Sequence, residues 1–151
     1  MLAVRHGRAA RRLLASAAAA VWVWMGLWGA GPAVRAQADP ERARALLAEA
    51  DARYDSATTL EDVRQAYELY KQALQADPQS YEAAWKAGRA AWQLGELVPK
   101  GDRRAVLEEG QGYARRATEI EPDGVDGHYW YGVLIGRVGE ERGVLASLFL
   151  V

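Results

Sequence analysis

A 16-residue segment of this chain recurs 44 residues further on, and this internal repeat constrains the fold more than any other feature of the sequence. The two copies are YEAAWKAGRAAWQLGE at 81–96 and VDGHYWYGVLIGRVGE at 125–140. Their alignment pairs identical residue types at three positions, Gly88 with Gly132, Gly95 with Gly139 and Glu96 with Glu140. A repeat of this period indicates an array of similar units, each of which buries its apolar face against the next.

Helices are predicted throughout the chain beyond residue 38, because apolar residues recur at intervals of three and four positions. Asp39-Pro40 and Ser80 are typical helix starts, and Thr59 with Asp62 resembles a capping box. The predicted helices span 41–54, 60–76, 81–95, 103–121 and 125–139, with a long polar loop over 96–104. The predicted fold class is all-α, a right-handed superhelix of antiparallel helix hairpins.

Small residues at fixed places in the repeat predict where neighbouring helices approach closely. Glycine and alanine leave room for the facing helix, aromatic residues fill the adjoining gaps, and proline ends each second helix. The predicted packing positions are Ala66, Tyr70, Ala73, Pro78, Gly88, Gly95, Ala114, Ala117, Pro122, Gly132 and Gly139. One hairpin cannot bury its own apolar face, so about three or more units are expected to stack.

The first 36 residues have the pattern of a secretory signal peptide. Arginines between positions 5 and 12 form a basic start, and no charged residue occurs from Leu13 to Val34. Small residues precede two cleavage points, after Ala36 and after Ala38. We therefore expect a periplasmic or secreted helical domain over 39–151. An uncleaved segment would instead anchor the protein in the membrane, since its uncharged run is long enough to span a bilayer.

Composition excludes several classes of function once this segment is set aside. All 20 acidic residues lie beyond position 36, but only 14 of the 19 basic residues do, so that part carries a net charge near −6. An acidic domain is not expected to bind nucleic acid or an anionic membrane surface. The chain has no cysteine, which excludes disulfides, thiolate metal sites and a lipid-modified N-terminal cysteine.

No catalytic, metal or cofactor site is predicted. His128 is the only histidine beyond position 36, and a metal site needs further ligands at helical spacing. The glycines after it lie within a predicted helix rather than in a strand-to-helix turn, so they do not form a phosphate loop. The paired glutamates at 108–109 and 140–141 are expected to be surface charges. Because no nucleophile and base can be paired, the protein is not expected to be an enzyme.

Consecutive aromatic residues mark the best candidate for a binding surface. Tyr129, Trp130 and Tyr131 are about 100° apart around a helix, so they cannot all face the core. In superhelical repeats the concave face binds extended ligands. We therefore expect a groove that uses Trp85 or Lys86 together with Tyr129 or Trp130, their equivalents one repeat later.

The helical pattern resembles the tetratricopeptide repeat. In that family the first helix carries a glycine or alanine after a bulky residue, as at Gly88, and the second carries alanines and a closing proline, as at Ala114, Ala117 and Pro122. Gly110 departs from the pattern, because it stands where the family usually has alanine. The period departs as well, since it is 44 residues against the usual count of about 34.

A narrower resemblance covers about residues 60–151. The motifs Tyr113-Ala114…Ala117 and His128…Trp130-Tyr131…Val138-Gly139 are similar to the regulator of microtubule dynamics family, with the aromatic order slightly shifted by Tyr129. They also resemble the exported tetratricopeptide partners of bacterial TRAP-type transporters. The resemblance implies a non-catalytic scaffold that binds a protein, such as a transporter's substrate-binding component. The alternative is a carrier that holds a small apolar ligand in an aromatic groove.

The last residues, GVLASLFLV from Gly143, are apolar and correspond to the start of another second helix. Terminal repeats usually carry polar caps, so we expect the chain to be a fragment that is incomplete at its C-terminus. An unfinished apolar helix would promote self-association.

Overall fold

The computed structural model describes residues 38–143, and these form helices joined by short connections. The five helices are α1 (Pro40–Asp55), α2 (Leu60–Ala76), α3 (Tyr81–Leu97), α4 (Lys100–Ile120) and α5 (Val125–Glu141). Each helix packs against the next one in sequence, and α3 also contacts α5. The all-α prediction is therefore confirmed for this part of the chain, as successive packed helices.

The helix starts follow the capping chemistry that the sequence predicts. The Asp39 side chain accepts a hydrogen bond from the Arg42 backbone N–H at 3.0 Å. Thr59 and Asp62 form a reciprocal capping box at the start of α2, as expected. The hydroxyl bond from Thr59, followed by backbone N–H bonds, lowers the pKa of the Asp62 carboxyl. These side chains satisfy backbone donors that the first turn of a helix leaves without partners.

The long loop predicted over 96–104 is wrong. Helix α3 continues to Leu97 and α4 begins at Lys100, so only Val98 and Pro99 connect them. The residues beyond the usual repeat length lie mostly in α4, which has 21 residues. Pro99 is the N-cap of α4 and Asp102 lies in its first turn. Residues of these types favour helix starts as well as loops, so the polar stretch is compatible with either structure.

Buried apolar side chains form three cores between the described helices, and the third, around Ala73, Ala83 and Ala117, joins α2, α3 and α4. Alanines and Tyr70 form the first core between α1, α2 and α3. Leu107 on α4 packs with Leu134 and Val138 on α5 in the second. The alanines that the sequence assigns to packing, Ala66, Ala73, Ala114 and Ala117, are fully buried. Pro78 and Pro122 lie in the short turns that follow α2 and α4.

Close helix approach depends on three glycines in α3 and α4. A Cβ atom at Gly88 would lie 3.0 Å from the Ala114 Cβ, and one at Gly95 would lie 2.7 Å from Leu107 Cδ2. A Cβ at Gly110 would come closer than 3.0 Å to the Ala91 Cβ. Gly110 therefore replaces the usual alanine because α3 lies against that point of α4.

The equivalent glycines of α5 have a different environment. No described atom lies within 4 Å of a Cβ built at Gly132 or at Gly139. Their counterparts in α3 contact the following helix, and residues 144–151 lie outside the described part of the chain. The packing role of Gly132 and Gly139 stays a prediction.

The predicted signal peptide and its cleavage points also lie outside the described residues, except for Ala38. The same holds for the apolar segment that follows Gly143, on which the prediction of a C-terminal fragment rests. Across residues 38–143, no helix combines the length and the apolar character needed to cross a membrane.

An ion pair between α2 and α4 predicts a specific response to acid. Lys71 Nζ lies 3.1 Å from a carboxylate oxygen of Glu109. Burial raises the pKa of Glu109, but the Lys71 ammonium and other hydrogen bonds outweigh it, so the pKa falls below its ordinary value of 4.5. A carboxyl with a lowered pKa stabilises the folded state above that ordinary value, and this contribution is lost as the pH falls through the lowered pKa.

We therefore expect Glu109→Gln to reduce the loss of stability that acid causes as the pH falls below the ordinary carboxyl pKa of 4.5. Urea denaturation of both proteins at several pH values measures the effect. Glu119→Gln is the control, because Glu119 pairs only with Arg115 on the exposed surface of its own helix. Parallel pH profiles for wild type and Glu109→Gln would contradict the expectation.

Candidate partner-binding face

The candidate site is built on one side of α3. Trp85, Arg89 and Trp92 follow one another at four and three residues, which places them on the same face of the helix. All three side chains are partly exposed, whereas the opposite face of α3 is buried against α2 and α4. We call this strip, Trp85, Arg89 and Trp92, the α3 face. Helix α1 borders it on one side and α5 on the other.

Lys86 does not take the groove position that the sequence suggests. Its side chain is buried, with 8% of the residue exposed. Nζ lies 2.6 Å from Asp51 Oδ2 on α1 and also pairs with Glu82 one turn earlier. The ammonium therefore ties α3 to α1 instead of reaching a ligand. This role could not be predicted from the local sequence, because Asp51 lies 35 residues before Lys86.

Arg89 provides the cation of the α3 face, and it is not among the residues predicted from the sequence. Its guanidinium carbon lies 4.1 Å from the centre of the Tyr54 ring and 5.3 Å from that of Trp85. Its Nη2 donates to the Tyr70 hydroxyl at 3.3 Å. Its position one turn after Trp85 could have predicted this role, since an arginine at that spacing can contact the Trp85 ring.

The Tyr129-Trp130-Tyr131 triple divides as helix geometry requires. Tyr129 is 60% exposed, and its ring meets the Trp130 ring edge-on at 5.1 Å. Trp130 is partly buried, and the centre of its ring lies 5.7 Å from the centre of the Trp92 ring on α3. Tyr131 packs against the second core. Tyr129 is therefore the member of the triple that is open to a partner, and Trp130 joins α5 to the α3 face.

The remaining sequence candidates have local roles. His128 is exposed, and its Nε2 lies 2.7 Å from the Pro122 carbonyl oxygen in the turn before α5. Glu108 accepts from Arg104 and Arg142 at the ends of α4 and α5. Within residues 38–143, no group of three His, Asp or Glu side chains has a geometry that could hold a metal ion. A shallow depression beside α4 is lined mainly by polar side chains, among them Arg115 and Glu119.

Comparison with known families agrees with this all-helical architecture. The family model described as regulator of microtubule dynamics protein 1-3 matches residues 46–147, which is more than half of the chain. The match begins within α1 and includes α2 to α5, and with them every residue of the α3 face. Neither a curated protein nor a solved structure gives a significant match. The chain belongs to the regulator of microtubule dynamics protein 1-3 family.

Proposed function

We propose that this protein is an exported, non-catalytic helical scaffold that binds a protein partner through helices α1, α3 and α5. The candidate partner is the substrate-binding component of a transporter. In this proposal the packed helices continue as a right-handed, tetratricopeptide-like superhelix, and the N-terminal segment directs export to the periplasm. Family membership supports a general role in protein interaction, and the signal-peptide pattern and the resemblance to transporter-associated repeats support the location and the partner.

One observation carries the proposal. Trp85 on α3 and Tyr129 on α5 are equivalent positions of the repeat, 44 residues apart, and both present aromatic rings that are not fully buried. Large aromatic side chains that remain accessible are enriched at protein interfaces and often dominate their binding energy. Tyr129 has Val125 one turn before it, and Val125 is also exposed. Together these side chains give α5 an accessible apolar surface beside the α3 face.

The experiment uses the two adjacent residues of the aromatic triple. We expect Tyr129→Ala to weaken capture of the transporter component by about 10-fold or more, because an anchor at an interface contributes about 1.4 kcal/mol or more. Its melting temperature should stay near that of wild type, since Tyr129 is mostly exposed. Trp130→Ala should instead destabilise the fold by about 1–3 kcal/mol, because it removes the contact with Trp92. Isothermal titration calorimetry and thermal denaturation measure the two effects.

Leu97→Ala is the control for binding, because Leu97 is exposed and apolar but lies at the end of α3 beside the connection to α4. Equal binding by wild type and Tyr129→Ala would contradict the proposal. A co-purified apolar small molecule, detected by native mass spectrometry and lost in Tyr129→Ala, would support the carrier alternative instead. Concentration-dependent dimerisation that Tyr129→Ala abolishes would identify a second copy of the chain as the occupant.

A further inference from the structure

We infer that Arg89 binds a carboxylate group of the protein partner, an acidic side chain in a short segment that lies along the α3 face. This inference rests on the proposed function, because it names the chemistry of the partner that the scaffold would recognise. Its basis is a partly buried arginine that has no carboxylate partner among the described residues and most of whose N–H donors have no acceptor there.

Arg89 differs from the other cations in its surroundings. Most arginines and lysines among residues 38–143 pair with a carboxylate on a neighbouring turn or helix, as Lys71, Arg103 and Arg137 do. The described cations without such a pair are Arg42, Arg89, Lys100 and Arg116, and of these only Arg89 is partly buried. A partly buried arginine without a counterion is uncommon, because burial of an unpaired charge is costly.

The carboxylate that shares the Tyr70 hydroxyl with Arg89 already has other partners. Asp51 Oδ2 accepts from Lys86 Nζ at 2.6 Å, and its Oδ1 accepts from the Tyr70 hydroxyl at 2.7 Å. Among the described residues, the Arg89 side chain donates only to the hydroxyl of that tyrosine. Its Nε is enclosed without an acceptor, and its Nη1 has none among the described residues. Four of the five N–H donors of the guanidinium therefore have no acceptor among the described residues.

The aromatic neighbours hold the guanidinium in a fixed place. The Tyr54 and Trp85 rings lie within cation–π distance of the same carbon atom, and this contact partly replaces the water that burial removes. A fixed planar guanidinium loses little side-chain entropy when it binds, and its donors match the geometry of a carboxylate. A single carboxylate fits better than a multiply charged group, because the protein beyond residue 36 has a net charge near −6 and repels polyanions.

The test observes Arg89 directly. The Nε–H signal of this side chain is followed by nuclear magnetic resonance while sodium acetate is added, with sodium chloride and acetamide as controls at matched concentration. We expect a saturable shift with acetate alone. N-acetyl-glutamate amide and N-acetyl-glycine then distinguish a side-chain carboxylate from a chain terminus, and the first should give the larger shift. Arg42→Gln, which removes an exposed arginine without an ion pair, should leave the shift unchanged.

The same residue is then tested in partner binding. We expect Arg89→Gln to weaken binding about 10-fold, which corresponds to one charge-assisted hydrogen bond of about 1.4 kcal/mol, and Arg89→Lys to restore part of it. Equal shifts in acetate and chloride, or no saturation, would overturn the inference without the use of any variant. Partner binding that is lost in Tyr129→Ala but unchanged in Arg89→Gln would also overturn it, and would leave the proposed function intact.

Discussion

Gly110→Ala should destabilise the fold by about 3 kcal/mol, because overpacking of a close helix contact costs roughly 1–3 kcal/mol or occasionally more. The new methyl group would lie less than 3.0 Å from the Cβ of Ala91, and neither atom can move without its backbone. Helix α3 would have to shift away from α4, and the contacts of Gly88 and Gly95 with α4 would loosen together. Chemical denaturation measures the loss, and the melting temperature should fall by roughly 4–8 °C for each kcal/mol.

Gly112→Ala is the matched control in the same helix. No atom of the described residues lies within 4 Å of a Cβ at Gly112, so the substitution should stabilise α4 by about 0.5–1 kcal/mol through helix propensity. Ala91→Gly in the Gly110→Ala background removes the facing methyl group and should recover much of the lost stability. Equal stability of Gly110→Ala and Gly112→Ala would show that α3 and α4 are not in the contact described.

Asp51→Ala should cost about 2–3 kcal/mol. Removal of one partner from a buried ion pair costs about 3–5 kcal/mol, and partial exposure of Asp51 reduces this figure. Lys86 would keep a buried ammonium, since its side chain is 10% exposed, and the hydroxyl of the buried Tyr70 would lose an acceptor. Thermal and urea denaturation of the variant measure the change in the free energy of unfolding.

Glu82→Ala is the control, because Glu82 binds the same ammonium from a position that is 54% exposed. An exposed pair is worth about 0–1 kcal/mol, so this variant should be nearly as stable as wild type. Lys86→Met in the Asp51→Ala background removes the buried charge and should restore part of the stability. If Asp51→Ala and Glu82→Ala lower the free energy of unfolding equally, the Lys86–Asp51 ion pair between α1 and α3 does not stabilise the fold more than an exposed pair does.

Local chemistry explains which parts of the fold could be predicted. Helix α2 has the predicted bounds, because Thr59 and Asp62 define its start and Asp77-Pro78 follows its end. The start of α4 could not be predicted in the same way. Its first turn combines lysine, glycine and aspartate after a proline, and such a sequence is equally compatible with a polar loop. The packing of α3 against α4 favours the helix over the loop.

The candidate site was predicted only in outline. Helical periodicity showed that the aromatic triple must divide, but it could not show which ring would meet Trp92. The choice between Trp85 and Lys86 depended on Asp51, and the importance of Arg89 depended on Tyr54. Both contacts join residues of α3 to α1, and a single sequence carries no direct record of such pairings. Tertiary partners, rather than residue type, decided which side chains remain accessible.

Helix α5 depends on α3 for its own beginning. Gly124 is its N-cap and provides no side-chain acceptor, but the Tyr81 hydroxyl accepts from the Gly127 backbone N–H at 2.9 Å. The same ring occupies the space that a side chain at Gly124 would need. One unit therefore supplies the cap of the next, which makes nucleation of the later helix conditional on the earlier one. Hydrogen exchange should show this order. The amides at the start of α5 should lose protection whenever α3 opens, and they should never be better protected than the amides of α3.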